Sequence, residues 1–404
     1  MSFLWDALLS AASPPLTLSA VGVALVAVLT FGKLYFNGGM VPSYLLNHTN
    51  LNGKVAIVTG PSLGGIGFEA AAFLYSRGAT VILGVRNVSN GDMIQQEIFK
   101  KYPTSESTTK SDSQIHVVAL DLSDLQSVKS FTKTFKEKFD RLDILLNNAG
   151  IMMTPHSTTK QGVEIQFGTN HLGHFLLTYL LLDLIKISNG RVVNVSSRAG
   201  EHWVKEKDEC QQVILNDGVN SGGIERSGGV NSGSGGVERS GGDNIHYSKL
   251  SGFASFTLDT VQGDCKEIPT DRLYGRSKFA NMVFTRRLEK ELRRKDDDDG
   301  CTTLASAFSL HPGVIRTQLW RHLNPLYFTL VAPFWWYITK NAYQGAQTSI
   351  YLCIAPLNQL KGGNYYSDCK LDDASENQLA LDEELQERLW NTSLELCQPF
   401  LNQD

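Results

Sequence analysis

Residues 54–85 read KVAIVTGPSLGGIGFEAAAFLYSRGATVILGV. KVAIVTG (54–60) is a short apolar, β-branched run with the length of a buried strand. A glycine-rich loop (61–67) follows, then the helical stretch FEAAAFLYSRG (68–78) and a second apolar run, TVILGV (80–85). Two strands joined through a helix pair in parallel, and a strand apolar throughout its length is covered on both faces. The glycines stand where the chain passes from strand to helix. There the backbone can approach an anion, and the helix N-terminus supplies amide donors and positive potential.

The alternation continues outward. IHVVALDL (115–122), LDILLNNAG (142–150), RVVNVSS (191–197) and TLASAFSLHPG (303–313) read as further strands. Between them lie helices at SDLQSVKSFTKTFKEKF (123–139), with Ser123 and Asp124 as capping candidates, and GTNHLGHFLLTYLLLDLIK (168–186). The polar stretch around 101–113 is a loop. The expected fold is α/β, a doubly wound parallel sheet (Rossmann fold) in a single domain.

The domain spans 53–404, preceded by a tail (1–15), an apolar segment (16–36) and a linker (37–52). No charged residue occurs between Asp6 and Lys33, and LTLSAVGVALVAVLTF (16–31) is almost wholly apolar. About 17–20 apolar residues suffice to span a bilayer, so 16–36 is expected to be a transmembrane anchor. A cleaved signal peptide would want a basic start and a small-residue cleavage site, and neither is present. Lys33 and Lys54 follow the span and Asp6 precedes it, which places the domain on the cytosolic side. The endoplasmic reticulum is the expected membrane. Sequons at Asn47, Asn87, Asn194 and Asn391 are compatible with a domain that never meets the glycosylation machinery. A net charge of −4 argues against nucleic acid as a partner. The six cysteines form no Cys-x-x-Cys pair, so no metal site is expected.

Residues 205–268 break the pattern. VNSGGIERSGG (219–229) is nearly repeated as VNSGSGGVERSGG (230–242), a composition unable to bury a core. A disordered insertion is expected here. Lengthening a connection from ~12 to ~75 residues costs only about 1.6 kcal/mol in loop closure, so the fold tolerates it. After it a helix is expected to run to about Lys295, ending before Asp296–Asp299, because acids are unfavourable at a helix C-terminus. A second apolar stretch, LYFTLVAPFWWYIT (326–339), is either buried core or a lid at the membrane surface, where Trp335, Trp336 and Tyr337 suit an interface.

Several residues carry chemistry. The loop Thr59 to Gly67 is the phosphate-binding candidate. Strand 2 ends in Gly84-Val85-Arg86 with no acid; an acid there suits a ribose 2′-hydroxyl, an arginine a 2′-phosphate, so NADP(H) is the expected cofactor. Asp121 either touches the adenine or caps the next helix. Tyr274 and Lys278, in Tyr-Gly-Arg-Ser-Lys, share a helix face. A nearby ammonium would favour the phenolate and bring the phenol toward acid/base duty.

With these motifs in order, the chain resembles a short-chain dehydrogenase/reductase. It is most similar to the retinol dehydrogenase-like branch that includes the WW-domain oxidoreductases. The resemblance rests on the TG…GIG loop, Leu120-Asp121-Leu122, Asn147-Asn148-Ala149-Gly150, Asn170-His171-Leu172-Gly173-His174-Phe175, Asn194-Val195-Ser196-Ser197, Tyr274-x-x-x-Lys278, His311-Pro312-Gly313 and the late segment 363–369. It implies Tyr274 as general acid in reduction and base in the reverse. Lys278 lowers the Tyr274 pKa and holds the nicotinamide ribose. Ser197 hydrogen-bonds the substrate oxygen, with Ser196 a strand residue, and Asn170 supports a water relay to Lys278. Gly60, Ser62, Gly65, Ile66, Gly67, Arg86, Asp121 and Leu122 bind cofactor on this reading. So do Asn148, Ala149 and Gly150 at the floor, and Pro312, Gly313 and Thr317 at the nicotinamide side.

Two departures stand out. Four residues, including Pro61, separate Gly60 from Gly65 where the family has three, with Gly64 adding local freedom. The insertion also replaces a much shorter connection. The expected function is interconversion of a lipophilic alcohol and its aldehyde or ketone (retinoid-, steroid- or long-chain-carbonyl-like), on a chain that could pair as a homodimer. The alternatives are a non-catalytic cofactor-binding scaffold or redox sensor, and a specialised pigment reductase on the same fold.

Overall fold

The computed structural model describes residues 23, 26–33, 36–103, 114–201, 256–293, 303–316 and 337–401. Eight strands form one sheet: β1 (Val55–Thr59), β2 (Thr80–Val85), β3 (Ile115–Ala119), β4 (Ile144–Asn147), β5 (Arg191–Val195), β6 (Ser306–His311), β7 (Tyr365–Ser367) and β8 (Lys370–Leu371). Their order is β3-β2-β1-β4-β5-β6-β7-β8. All pairs are parallel except the β7–β8 hairpin.

Period-2 alternation sends each strand's residues to opposite cores. Val55 and Ile57 join one cluster, and Ala56 and Val58 the other. The second face is covered by α1 (Ile66–Ser76), α2 (Val88–Lys101) and α6 (Ala342–Ile354). The first is covered by α3 (Leu125–Lys136), α4 (Gly173–Leu180), α5 (Thr270–Leu292) and α7 (Glu383–Leu401). Helix α7 docks through Trp390, whose ring meets Phe175 edge-on at 5.1 Å while the Arg287 guanidinium lies 4.6 Å from its centroid. The doubly wound fold is as expected. The chain reaches β3 at one edge, then returns to place β4 beside β1, so the switch point lies between β1 and β4. Ligands bind such sheets at the carboxyl ends of the strands beside that point.

The structure corrects the extent of the insertion. Residues 256–268, which composition assigns to it, are packed. Phe256 is fully buried, with ring centroids 6.0 Å from Phe167 and 5.8 Å from Phe279, and Val261 is fully buried too. Backbone joins the segment to the domain: Glu164 N donates to Val261 O at 2.9 Å. The run Phe256 to Val261 has an apolar pattern that the glycine-rich window around it dilutes. Residues 202–255 lie outside the described residues.

The expected helix 168–186 is also broken. A short helix (Ile165–Phe167) leads into a π-turn, Gly168–Leu172, before α4, and Leu181 separates α4 from Leu182–Ile187. Most of the expected anchor, and most of 326–339, fall outside the described residues. Among the described residues no helix is long and apolar enough to cross a membrane.

Candidate active site

A cavity of about 920 Å³ opens at the switch point. Next to the lining residue Gly60 stands Thr59, the last residue of β1, a buried hydroxyl in an otherwise apolar strand. Thr59 Oγ1 accepts from the amides of Asn148 and Ala149, both at 3.0 Å. His174 Nδ1 lies 3.0 Å from the Asn170 carbonyl, which can only accept, so Nδ1 carries the proton. His174 Nε2 then accepts from the Thr59 hydroxyl at 2.9 Å. Burial pushes the His174 pKa down to about 4, so this ring is neutral at pH 7. One threonine thus ties β1, the loop after β4 and α4 together.

The glycine loop follows Thr59. Gly60 has φ +58° and Gly64 φ +69°, a region side chains resist, so the loop's one-residue excess is absorbed at a second glycine. A Cβ on Gly60 would lie 2.6 Å from Ala149 Cβ, and one on Gly65 2.6 Å from Ser62 Oγ. Gly65 is the N-cap of α1, and no side chain caps the helix. The first amides of α1 are therefore unsatisfied donors beside a bare backbone, which is what a pyrophosphate requires. Gly60, Ser62, Gly65, Ile66 and Gly67 all line the cavity. Arg86, exposed after β2, lines its far end with Asn87 and Asn90. These residues fit a dinucleotide.

The catalytic candidates converge at the opposite end. Helix α5 presents Tyr274 and Lys278, both buried. Ser196 Oγ donates to the Lys278 carbonyl at 2.6 Å, which fixes α5 against the end of β5. Ser197 follows, near enough to the Tyr274 phenol for its hydroxyl to favour the phenolate. Lys278 Nζ donates to the Val195 carbonyl at 2.8 Å and lies 5.9 Å from the Tyr274 ring centroid. Burial pushes Lys278 down to about 8. Tyr274 is pushed up to about 12, because desolvation outweighs the opposing effect of the nearby Ser197 hydroxyl. The expectation that Lys278 lowers the Tyr274 pKa is therefore not met in this geometry. The ammonium is itself desolvated and its donor is directed to backbone.

Asn170 lies in the π-turn, completely buried behind the cavity wall. Its Oδ1 accepts from Ile151 N at 2.8 Å, and its Nδ2 donates to Ile151 O and Ser277 Oγ, both at 2.9 Å. A Cβ on Gly150 would sit 3.3 Å from Lys278 Nζ and 3.4 Å from Asn170 Oδ1, so both groups press on that one backbone position. Leu122, Asn148, Ala149, Gly150, Pro312 and Gly313 line the cavity. Asp121 does not, nor does it cap the next helix: its Oδ1 accepts from the amide and hydroxyl of Ser123, while the N-cap of α3 is Asp124, whose side chain accepts from Gln126 N. Thr317 lies outside the described residues. Between two of the motifs, Asn147 Nδ2 donates to Asn194 Oδ1 (2.8 Å) and Asn194 Nδ2 to Thr285 Oγ1 (2.9 Å), a buried ladder joining β4, β5 and α5. Such a ladder is signalled in sequence only by polar residues inside apolar runs.

Residues 54–207 match the short chain dehydrogenase family. The chain is 36% identical to human retinol dehydrogenase 12 over 367 residues, covering 90% of this chain and 91% of that protein. The chain belongs to the short-chain dehydrogenase/reductase family. Within it the chain is retinol dehydrogenase-like: human retinol dehydrogenase 13 is 34% identical over 387 residues, 94% of each chain. The likeness extends to a chloroplastic short-chain dehydrogenase, TIC 32 B of Brassica napus, 33% identical over 84% of this chain and 88% of that protein. The solved structure of an uncharacterized protein from Mycobacterium paratuberculosis aligns with TM-score 0.55 and 25% identity, over 88% of this chain and 97% of that one. As a member of this oxidoreductase family, the chain has the cavity and residue set for alcohol/carbonyl interconversion with a nicotinamide cofactor.

Proposed function

We propose that this dehydrogenase/reductase uses NADP(H) to interconvert a lipophilic alcohol and its aldehyde or ketone, with Tyr274 as the acid/base. The observation that carries the reading is the buried Tyr274 phenol, which shares the wall of the cavity with Ser197 and Lys278. The dinucleotide supplies or takes up hydride at its nicotinamide carbon. With a pKa of about 12 the phenol keeps its proton at neutral pH and can give it to a substrate carbonyl oxygen. Ser197 holds that oxygen by its hydroxyl. Lys278 donates to the ribose side, and Asn170 buttresses the loop at Gly150 that both groups press against.

NADP(H) is favoured because Arg86 lines the cavity at the end of β2, where no carboxylate stands to hold a ribose hydroxyl. A lipophilic substrate and a membrane anchor at 16–36 are favoured together. Lys33 Nζ donates to the carbonyls of Tyr337 and Thr339 at 3.1 and 2.8 Å, and the rings of Phe36 and Tyr337 meet edge-on at 5.8 Å. Lys340 N in turn donates to the Val314 carbonyl in the cavity wall at 2.8 Å. Val26, Val28 and Phe31 are exposed on the same N-terminal segment, which suits a lipid surface beside the pocket, with the domain on the cytosolic side. Comparing thermal stabilisation by NADPH and NADH, then assaying a broad carbonyl panel, tests the proposal. Cofactor binding without reduction of any panel member sinks it.

A further inference from the structure

The turn that carries Ser197 is held from outside by a pair that takes no part in proton or hydride movement. Ser197 ends the β5 segment and leads into one helical turn, Arg198–Glu201. Its internal bonds are few: Gly200 N donates to Ser197 O at 2.9 Å, and Ala199 N to Ser197 Oγ at 3.3 Å. On its inner side the turn rests against α5. A Cβ on Gly200 would lie 2.8 Å from Phe279 N and 2.9 Å from Lys278 C, so the turn cannot move inward. On its outer side Tyr365 Oη donates to Glu201 Oε1 at 2.6 Å, and Asn377 Nδ2 donates to Gly200 O at 3.3 Å. Tyr365 is wholly buried and Glu201 is 8% exposed. Tyr365 lies in β7 opposite Ser309 of β6, so the sheet fixes its place.

This arrangement is expensive. A carboxylate and a phenol are both taken out of water where they meet, with Arg198 Nε 3.9 Å from the other Glu201 oxygen, and the Tyr365 phenol is pushed well above its ordinary range by burial and by Glu201. An apolar pair would fill the space at less cost. What it would not do is hold Glu201 in register. Glu201 is the last residue before 202–255, the long stretch between the catalytic serine and the catalytic helix.

We propose that Tyr365, through Glu201, is a positioning residue for Ser197. It clamps the serine-bearing turn against α5, so that the chain after Glu201 does not displace the Ser197 hydroxyl from Tyr274. The inference rests on the reading of Ser197 as the group that holds the substrate oxygen.

The test is a double-mutant cycle between Tyr365→Phe and Ser197→Ala on the full chain. It uses NADPH and the best-reduced member of a series of straight-chain aldehydes from hexanal to dodecanal plus retinal. Tyr365→Phe is expected to lower kcat about tenfold, since small misplacements of a catalytic group cost this much or more. The NADPH dissociation constant, read by fluorescence, should stay within about twofold. In the Ser197→Ala background the same change should have no further effect on kcat, because residues acting as one unit are non-additive. Glu201→Gln, which keeps an acceptor for Tyr365, should preserve most of kcat, whereas Glu201→Ala should repeat the loss. A tenfold loss in both serine backgrounds, or full kcat in Tyr365→Phe, overturns the proposal. Should Tyr365→Phe not fold, equal kcat in Glu201→Gln and Glu201→Ala overturns it instead. Wild-type kcat in Ser197→Ala, or no turnover of any probe by the wild-type chain, removes the role of Ser197 and the proposal with it.

Discussion

Replacing Lys278 by Met should stabilise the protein at neutral pH while abolishing turnover. Lys278 is buried and its pKa falls from 10.5 to about 8. At 1.36 kcal/mol per unit, carrying the charge in the folded state costs about 3 kcal/mol wherever Lys278 is protonated in both states, below about pH 8. Between pH 8 and 10.5 the folded protein sheds this proton while the unfolded chain keeps it, so wild-type stability rises with pH across that window. Tyr274 does not interfere, because its raised pKa of about 12 makes its contribution change only between pH 10 and 12, where stability falls as pH rises. Met fills nearly the same volume without charge. The Val195 carbonyl loses one donor but keeps Asn281 Nδ2 at 3.3 Å, so the lost hydrogen bond costs about 1 kcal/mol. The variant should then be more stable by about 2 kcal/mol at pH 7, and by almost nothing at pH 9.5, where the wild-type penalty has shrunk to about 1 kcal/mol. Urea unfolding at the two pH values measures both differences, and NADPH-dependent carbonyl reduction measures the loss of function. A variant less stable than wild type at pH 7, or a stability gap that does not narrow by pH 9.5, would refute the argument.

Tyr274→Phe should lower kcat by about 10²–10⁴ with NADPH binding retained, the range for loss of a positioned general acid; cellular effects equal to wild type would instead favour a scaffold. Arg86→Glu should weaken NADPH binding about 10- to 100-fold, the worth of charge-assisted hydrogen bonds, and leave NADH nearly unchanged; equal losses by titration would remove Arg86 from cofactor choice. Thr59→Val leaves the Asn148 and Ala149 amides without their acceptor and should destabilise by about 2–4 kcal/mol in urea; a cost under about 1 kcal/mol would mean that Thr59 is not the tie between β1, the loop after β4 and α4. Replacing 205–255 by a short Gly/Ser linker should leave the unfolding midpoint within a few degrees, whereas extending the cut to 268 removes Phe256 and should cost about 3–5 kcal/mol; equal outcomes would contradict the packing of 256–268.

Strands β1 to β6 are legible because burial on both faces writes itself as unbroken apolar runs: Ile57 and Val58 point to opposite cores yet must both be apolar. The hairpin β7–β8 is not legible in this way. Its strands span only Tyr365–Ser367 and Lys370–Leu371, too short for any period to show. The π-turn is hidden for a different reason. Gly168 to Leu172 sit inside an apolar helical pattern, and the extra residue per turn is decided by where Asn170 must reach, namely Ile151 and Ser277. Motif residues at the site come together because each stands at a strand end or helix face that the alternation already predicts. The pairings of Thr59, Asn147 and Glu201 escape sequence reading because the partners, among them His174, Asn194 and Tyr365, are far away in the chain.

Spacing is equally silent about desolvation, and that decides how the proposed chemistry runs. Tyr274 and Lys278 one helical turn apart suggest a cation that draws out the phenol's proton. Buried together, each group instead moves toward its neutral form: the phenol to about 12, the lysine to about 8. At pH 7 a phenol of pKa about 12 is ionised in roughly one molecule in 10⁵, from five units at a factor of ten each. A site in that state is prepared to give a proton to a carbonyl oxygen and poorly prepared to take one from an alcohol. Ser197 pulls the other way, since its nearby hydroxyl favours the phenolate. On the role proposed for Ser197, the hydroxyl that would hold the substrate oxygen also favours the phenolate that oxidation needs. The balance between the two directions thereby depends on the placement of one turn, the segment between Ser197 and Glu201 that Tyr365 clamps.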